Sequence, residues 1–228
     1  MDALVRLIET ATLDQRRETA RLMGKAPRTA KGLLRMAERA LARAEAAIAQ
    51  ARALLPPPRP VACGPNCPFC CHVRLTASAP EILLVLAYVD SHWDDDSMTA
   101  LMRKVANLDA LTRGKNEAER EHLRLPCPLL KDGSCAVHPV RPLSCRAVAS
   151  VDVAACRRAH ASRMAEGAPL YEPQYQIANG VGYGLYAGLA DAGLGVENVE
   201  MNAALAVGLG KPGLARRWLN GETLFPLS

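Results

Sequence analysis

The eight cysteines of this chain fall into two tight groups, and that arrangement constrains the fold more than any other feature of the sequence. Cys63, Cys67, Cys70 and Cys71 lie in Cys63-Gly-Pro-Asn-Cys67-Pro-Phe-Cys70-Cys71, bracketed by helix breakers. Residues 72–126 contain no cysteine, and then Cys127, Cys135, Cys145 and Cys156 follow. Thiols scattered for structural reasons would not sort themselves this way. The economical reading is that the two groups meet in space around metal. Thiolates bind zinc tetrahedrally or hold iron–sulfur clusters, and each site needs about four of them. Eight suffice for two mononuclear sites, for a cluster plus zinc, or for a polynuclear centre. Neighbours such as Cys70 and Cys71 rarely bind one tetrahedral ion without strain, so they serve two metals or leave one thiol spare. Cys156 sits on a predicted helix and is read either as the eighth ligand or as a buried thiol. Ligand type does not separate iron from zinc, but the crowding of thiols in residues 63–71 favours iron or a multinuclear centre.

Composition says what surrounds such a centre. Half of the 228 residues are hydrophobic but only 4% are aromatic, so the core is built from Leu, Val, Ile and Ala. That is a helical composition, since strands lean on aromatic and β-branched residues. The 28 Lys and Arg against 23 Asp and Glu give +5, spread along helices rather than massed, which argues against a nucleic-acid partner. The N-terminus lacks a signal-peptide layout, and the longest apolar run, Ile82 to Val89, is too short to span a bilayer. The expectation is a cytoplasmic protein with no membrane partner, where reduced thiols favour metal over disulfides.

In chain order, Thr12-Leu-Asp-Gln15 fits a capping box and predicts two short helices within residues 1–23. A long helix over about Thr29–Leu55 carries Leu34, Leu41, Ile48 and Leu55 in heptad register, with Ala37, Ala44 and Ala51 alongside. Such a face pairs closely with another helix. The partner is a hairpin within this chain in the first instance, or a protein partner or homodimer in the second. Pro56-Pro57-Pro58-Arg59-Pro60 stops the helix and forms an extended linker. Ser78-Ala-Pro-Glu81 is another capping box, opening an apolar helix, and Asp94 to Ser97 caps the next. In that second helix Met98, Leu101, Met102, Val105, Leu108 and Leu111 share one face. Residues 116–123 read as a charged, solvated helix. Leu129 to Val137 reads as a hairpin turning at Asp132-Gly133. Two prolines predict an extended His138–Pro142, and Asp152 starts the helix bearing Cys156. Helices are expected over about 174–192, 198–208 and 213–220. Gly180, Gly184 and Gly188 mark close helix packing; with no strand before them, they do not form a nucleotide-binding loop.

Three local motifs overlap the first cysteine group. Cys63-x₃-Cys67-x-Phe69-Cys70 matches the radical S-adenosylmethionine signature, but no alternating strands and helices accompany it. Cys67-Pro-Phe-Cys70 resembles a thioredoxin-like pair without its βαβ setting. Paired zinc-ribbon knuckles are absent. The full pattern is more specific. Cys-x₃-Cys-x₂-Cys-Cys, followed by Cys127-Pro-Leu-Leu-Lys-Asp-Gly-Ser-Cys135-Ala-Val-His-Pro-Val-Arg141-Pro142-Leu-Ser-Cys145-Arg146, resembles the YkgJ family of CxxCxxCC proteins over about residues 61–160. His138 stands where that family usually has tyrosine. The resemblance implies a zinc- or iron-chelating site built by the eight cysteines. Flagellin lysine methylases share a similar motif and are thought to need an iron–sulfur cluster.

The expected architecture is a mainly α protein. Residues 1–60 form an N-terminal helical hairpin and proline-rich linker, and residues 61–228 a helical domain around a loop-built cysteine centre. Its metal ligands would be Cys63, Cys67, Cys70, Cys71, Cys127, Cys135, Cys145 and Cys156. Arg141 and Arg146 would donate hydrogen bonds to the thiolates or to carbonyls of the cysteine loops. Arg74 and Lys131 would add positive charge nearby, and His72 and His138 would be hydrogen-bonding neighbours or substitute ligands. The function expected is metal binding, of an iron–sulfur cluster or zinc. The alternatives are an iron–sulfur-dependent oxidoreductase or methylase-like enzyme, and a zinc-stapled interaction module. No catalytic constellation is visible in the sequence.

Overall fold

A computed structural model describes residues 2–116, 119–120, 123–163 and 165–226. The protein is mainly helical. Among the described residues there are nine α-helices, two short 3-10 turns and two small antiparallel ribbons.

Helix α1 (Asp2–Met23) is continuous, not two pieces. Thr12 does not cap it: its hydroxyl donates to the Ile8 carbonyl at 2.8 Å, the bond a threonine makes inside a helix. Helix α2 (Ala30–Leu54) returns along α1, opened by Thr29, whose side chain accepts from the Gly32 amide at 3.0 Å. The hairpin is clamped by the buried carboxylate of Glu18, which takes Arg43 at 2.6 Å and also Arg39. Gln15 accepts from the same Arg43 at 3.0 Å and donates to Thr19 at 2.9 Å. Both arginines keep a face in water, so Glu18→Ala is expected to cost about 2 kcal/mol, below the cost of breaking a fully buried pair. Urea denaturation measures it; a loss under half that size would make the clamp ornamental.

The heptad face of α2 is consumed within the chain. Ala37, Leu41, Ala44, Ile48 and Ala51 are buried, while Leu34 is half-buried and Leu55, at 51% exposure, lies outside the seam. A partner or second copy cannot use that face while the fold persists. Its cover comes from α1, from α3 (Ala79–His92) and from α7 (Glu172–Asp191), a helix of the C-terminal half. The N-terminal hairpin is therefore packed into the rest of the molecule. Gly184 and Gly188 let α7 approach α1 at backbone distance: a Cβ on Gly188 would lie 2.5 Å from the Arg16 carbonyl oxygen.

Helix α3 begins at the anticipated capping box. The Ser78 amide and hydroxyl donate to Glu81 at 2.9 and 2.6 Å. Helix α4 (Asp95–Thr112) is capped by Asp94, which accepts from the Ser97 amide at 2.8 Å. Its apolar face is narrower than the periodicity suggests, because Leu101 and Val105 are buried but Met102 and Leu111 face solvent. The predicted helix over 116–123 lies partly outside the described residues. Within it Arg120 is not solvated, for it pairs with the buried Glu200 at 2.8 Å.

Residues 198–200 are not helical. They form β4 (Asn198–Glu200), paired antiparallel with β1 (Thr76–Ser78) in register Thr76 to Glu200. Helix α8 (Met201–Gly208) starts directly after it, and α9 (Leu214–Leu219) follows. The main core gathers Leu33, Met36, Ile82, Val85, Ile177 and Leu205 between these helices. No helix among the described residues is long and apolar enough to cross a membrane.

Candidate metal centre

The cysteine-bearing segments are loops, a two-residue strand and short helices. The first begins as an extended strip beside Ser150. The Ala62 amide donates to the Ser150 carbonyl at 2.8 Å, and the Ser150 amide donates to Cys63 Sγ at 3.2 Å. Asn66, at positive φ, turns the chain, and its amide donates to Ser134 Oγ at 3.2 Å. A 3-10 turn over Phe69–His72 then presents Cys70 and Cys71. It is followed by the link that joins the two groups directly: the Cys127 amide donates to the Cys71 carbonyl at 2.7 Å.

The second group is built by local chemistry. Strands β2 (Leu130–Lys131) and β3 (Ser134–Cys135) form the anticipated hairpin. Asp132 at φ 49° and Gly133 at φ 73° close it, the two positive angles of a type I′ turn. His138–Val140 is a 3-10 turn rather than extended chain. A following proline disfavours helical angles at His138 without forbidding them, whereas Arg141, before Pro142, is extended as the rule requires. Cys145 rides on α5 (Leu143–Ala147), whose Leu143 amide donates to Glu81 at 2.8 Å. Cys156 lies on α6 (Val153–Ala161), opened by Asp152, which accepts from the Ala155 amide at 2.9 Å. His160, one turn beyond Cys156, packs edge-on to His72 and Phe69 with ring centroids 4.5 and 5.8 Å apart. Helix α6 thus closes over the first cysteine loop.

All eight cysteines are free thiols, and their electrostatics show a shared environment. Cys70 is the hub: charge on it raises the thiols of Cys63, Cys67, Cys127, Cys135 and Cys145. Cys70 itself is raised strongly, first by its hydrogen bond with Cys71 and then by desolvation within the loop. Burial pushes Cys127 up to about 11 and Cys145 further, helped there by Cys127, Cys135 and Cys70. Charge on Cys156 reaches Cys63 and Cys67. The opposing influence is Arg141, whose charge draws down Cys63, Cys70, Cys135 and Cys145. So many neighbouring thiols ionise together only with added positive charge nearby. Among the described residues, however, no group of three or more His, Cys, Asp or Glu side chains is placed to hold a metal ion.

The two arginines divide their tasks. Arg146, 5% exposed, donates to the carbonyls of Arg141 at 3.0 Å and Pro139 at 2.6 Å, and pairs with Glu45 of α2. It binds carbonyls between Cys135 and Cys145 rather than sulfur. Arg141 donates to His138 Nε2 through one of its amino groups, and its charge reaches the thiols. Burial first, and then Arg141 and Arg146, lower the His138 pKa, in keeping with a neutral ring that accepts from Arg141. His72 donates through Nδ1 to the Pro68 carbonyl at 3.0 Å, a bond within its own loop. The charge of Lys131 acts on Asp94, whose pKa is lowered first by the hydrogen bond from the Ser97 amide.

Ser150, Ser134 and Glu45, the groups that fasten the cysteine segments, were not legible in the sequence, because each acts on residues distant along the chain. Glu81 was visible only as a cap. No family model, no curated protein and no solved structure matches this chain.

Proposed function

We propose that the protein binds metal through its eight cysteines, Cys63, Cys67, Cys70, Cys71, Cys127, Cys135, Cys145 and Cys156, as an iron–sulfur cluster or as zinc. The observation that carries this reading is the docking of one cysteine group on the other, through the Cys127 amide on the Cys71 carbonyl at 2.7 Å. The donor chemistry fits. The thiols are free, crowded and mutually repulsive once ionised, and the charge of one arginine, Arg141, draws four of them down. Once bound, a cluster would supply electron transfer, and zinc a fixed cross-link or Lewis acid. The chain's own contribution is positional: Ser150 holds Cys63, the hairpin holds Cys135, Glu81 holds the helix of Cys145, and α6 carries Cys156. Free thiols in this number suit a reducing compartment such as the cytoplasm.

A second reading, an enzyme built on the same centre, is favoured by a cavity with Cys127 and His72 in its wall. An interaction module using the heptad face of α2 lacks comparable support, since that face is buried in the chain. The test is purification without oxygen, followed by the visible spectrum and the content of iron, zinc and inorganic sulfide. A brown protein with sulfide is the expected cluster form. A colourless protein with about two zinc ions is the expected structural form. A metal-free protein from metal-replete cells overturns the proposal.

A further inference from the structure

Once the chain is folded, its charge is not spread as evenly as the linear sequence suggests. Residues 16–39 hold eight of the 28 Lys and Arg, and of the acids only Glu18 and Glu38. That is a net +6, more than the +5 of the whole chain. These residues are the adjoining ends of α1 and α2 and the turn between them. From Thr19 to Ala37 there is no acid at all. The hairpin folds this run back on itself and gathers its charge at one end.

Part of that charge is taken up within the chain. Arg16 donates to Asp191 at 2.7 and 3.0 Å, Arg39 pairs with Glu18, and Arg17 reaches Asp14 only at 3.7 Å. Arg28 donates to the carbonyls of Met23 and Ala192, both at 2.6 Å, and ties the turn to the end of α7. Arg21, Lys25, Lys31 and Arg35 are exposed and have neither an ion pair nor a side-chain hydrogen bond among the described residues. The pairing of Glu18 with Arg39 sets the register of the hairpin. One helical turn nearer its end, Arg21 and Arg35 take the corresponding places, so that cation stands by cation. Lys31 follows in the first turn of α2, where the helix dipole favours an acid and none is present.

Like charges gathered with no anion among them destabilise the fold, and an anionic partner relieves that repulsion when it docks. We infer that this end of the hairpin docks on the phosphate backbone of a nucleic-acid duplex, without reading its sequence. Apart from its cations, the turn exposes only Gly24, Ala26, Pro27 and Thr29. No aromatic residue precedes Phe69, and Leu22 and Leu34 are half-buried. A folded protein partner is held by aromatic and aliphatic anchors, and a membrane surface by apolar insertion as well as charge. Single strands stack their bases on aromatic rings. A duplex needs none of these, because Lys and Arg alone bind its dense phosphates, through the release of counterions. The first cysteine, Cys63, lies outside residues 16–39, so the duplex site and the metal site stand or fall separately.

The test is fluorescence anisotropy of labelled DNA and RNA duplexes, each of about 20 base pairs, titrated with the full chain at about 50 to 200 mM salt. The expected result is binding in the micromolar range at the lowest salt, indifferent to base sequence, and weakened roughly a hundredfold at the highest. Four phosphate contacts give log K against log salt a slope of about −3.6. Lys31→Gln combined with Arg35→Gln should bring that slope nearer zero by about 2 and weaken binding at least tenfold. Glutamine is a good helix former and both positions are exposed, so the variant keeps its fold. Arg103→Gln combined with Lys104→Gln removes the same charge from exposed positions of α4 and should leave binding within about twofold of the native chain. Binding to either DNA or RNA supports the inference, and the difference between them names the duplex. Three outcomes overturn it. The first is no duplex binding at the lowest salt. The second is an equal loss in the two paired variants. The third is binding as tight to a single strand, to polyglutamate or to vesicles of phosphatidylcholine with phosphatidylserine as to a duplex.

Discussion

Gly184→Ala is expected to destabilise the protein by about 3 kcal/mol, while Gly182→Ala on the same helix stabilises it by up to about 1 kcal/mol. Both changes gain the same helix propensity and the same lost freedom in the unfolded chain. They differ in what the new methyl meets. At Gly182 the nearest atom is a methyl of Leu143 at 3.9 Å, an ordinary contact. At Gly184 it falls on the carbonyl of Thr12 and within 2.9 Å of Gln15 Cβ. Backbone cannot swing aside as a side chain can, so α1 and α7 must part along their length, and theirs is the most extensive helix contact of the fold. The damage would not stay local. Gln174, near the start of α7, donates to the Arg146 carbonyl at 2.6 Å and accepts from Arg52 of α2 at 2.7 Å, so a displaced α7 pulls on the segment that carries Cys145. Paired urea unfolding curves decide it. Equal stability of the two variants would mean that the helices are not held at backbone distance.

Elements whose ends are set by neighbouring residues were legible in the sequence. Thr29 and the proline run bound α2, Ser78 and Glu81 open α3, Asp94 opens α4, and Asp132-Gly133 turns the hairpin, each through a bond between residues a few positions apart. The glycine row of α7 was legible too, because small residues at helical spacing have few uses besides close packing. Misreadings arose where one local pattern serves two structures. Thr12 to Gln15 has the spacing of a capping box, but Thr12 returns its hydroxyl to Ile8 within an unbroken helix. Asn198 to Glu200 leads into a helix, yet pairing with Thr76 to Ser78 makes it a strand. The candidate centre divides along the same line. That the cysteines form two groups is plain in the sequence. That Cys127 bonds Cys71 or that Ser150 holds Cys63 depends on contacts across the chain, which no periodicity encodes.

Arg141 and Arg146, so close along the chain, are expected to fail in opposite ways when each is replaced by methionine. Arg146→Met should cost about 3 kcal/mol in stability, because it removes two hydrogen bonds from a buried charged donor to the Pro139 and Arg141 carbonyls, and such bonds contribute about 1.5–3 kcal/mol each. Burial lowers the Arg146 pKa first, with Glu45 holding it up, which marks a guanidinium kept charged by its partners rather than by water. Methionine fills the space but makes none of these bonds. Arg141→Met should cost no more than about 1 kcal/mol, since its contact with Glu45, at 3.9 Å, is long and partly solvated. Yet it removes the charge that draws down Cys63, Cys70, Cys135 and Cys145, so metal should be lost readily to a mild chelator. Arg141→Lys should recover only part of that retention, because an ammonium lacks the planar fork that fixes the charge beside His138. Urea curves and metal per chain after chelator treatment separate the two roles. If metal bound as proposed is held as firmly by Arg141→Met as by the native chain, the thiols do not depend on that charge.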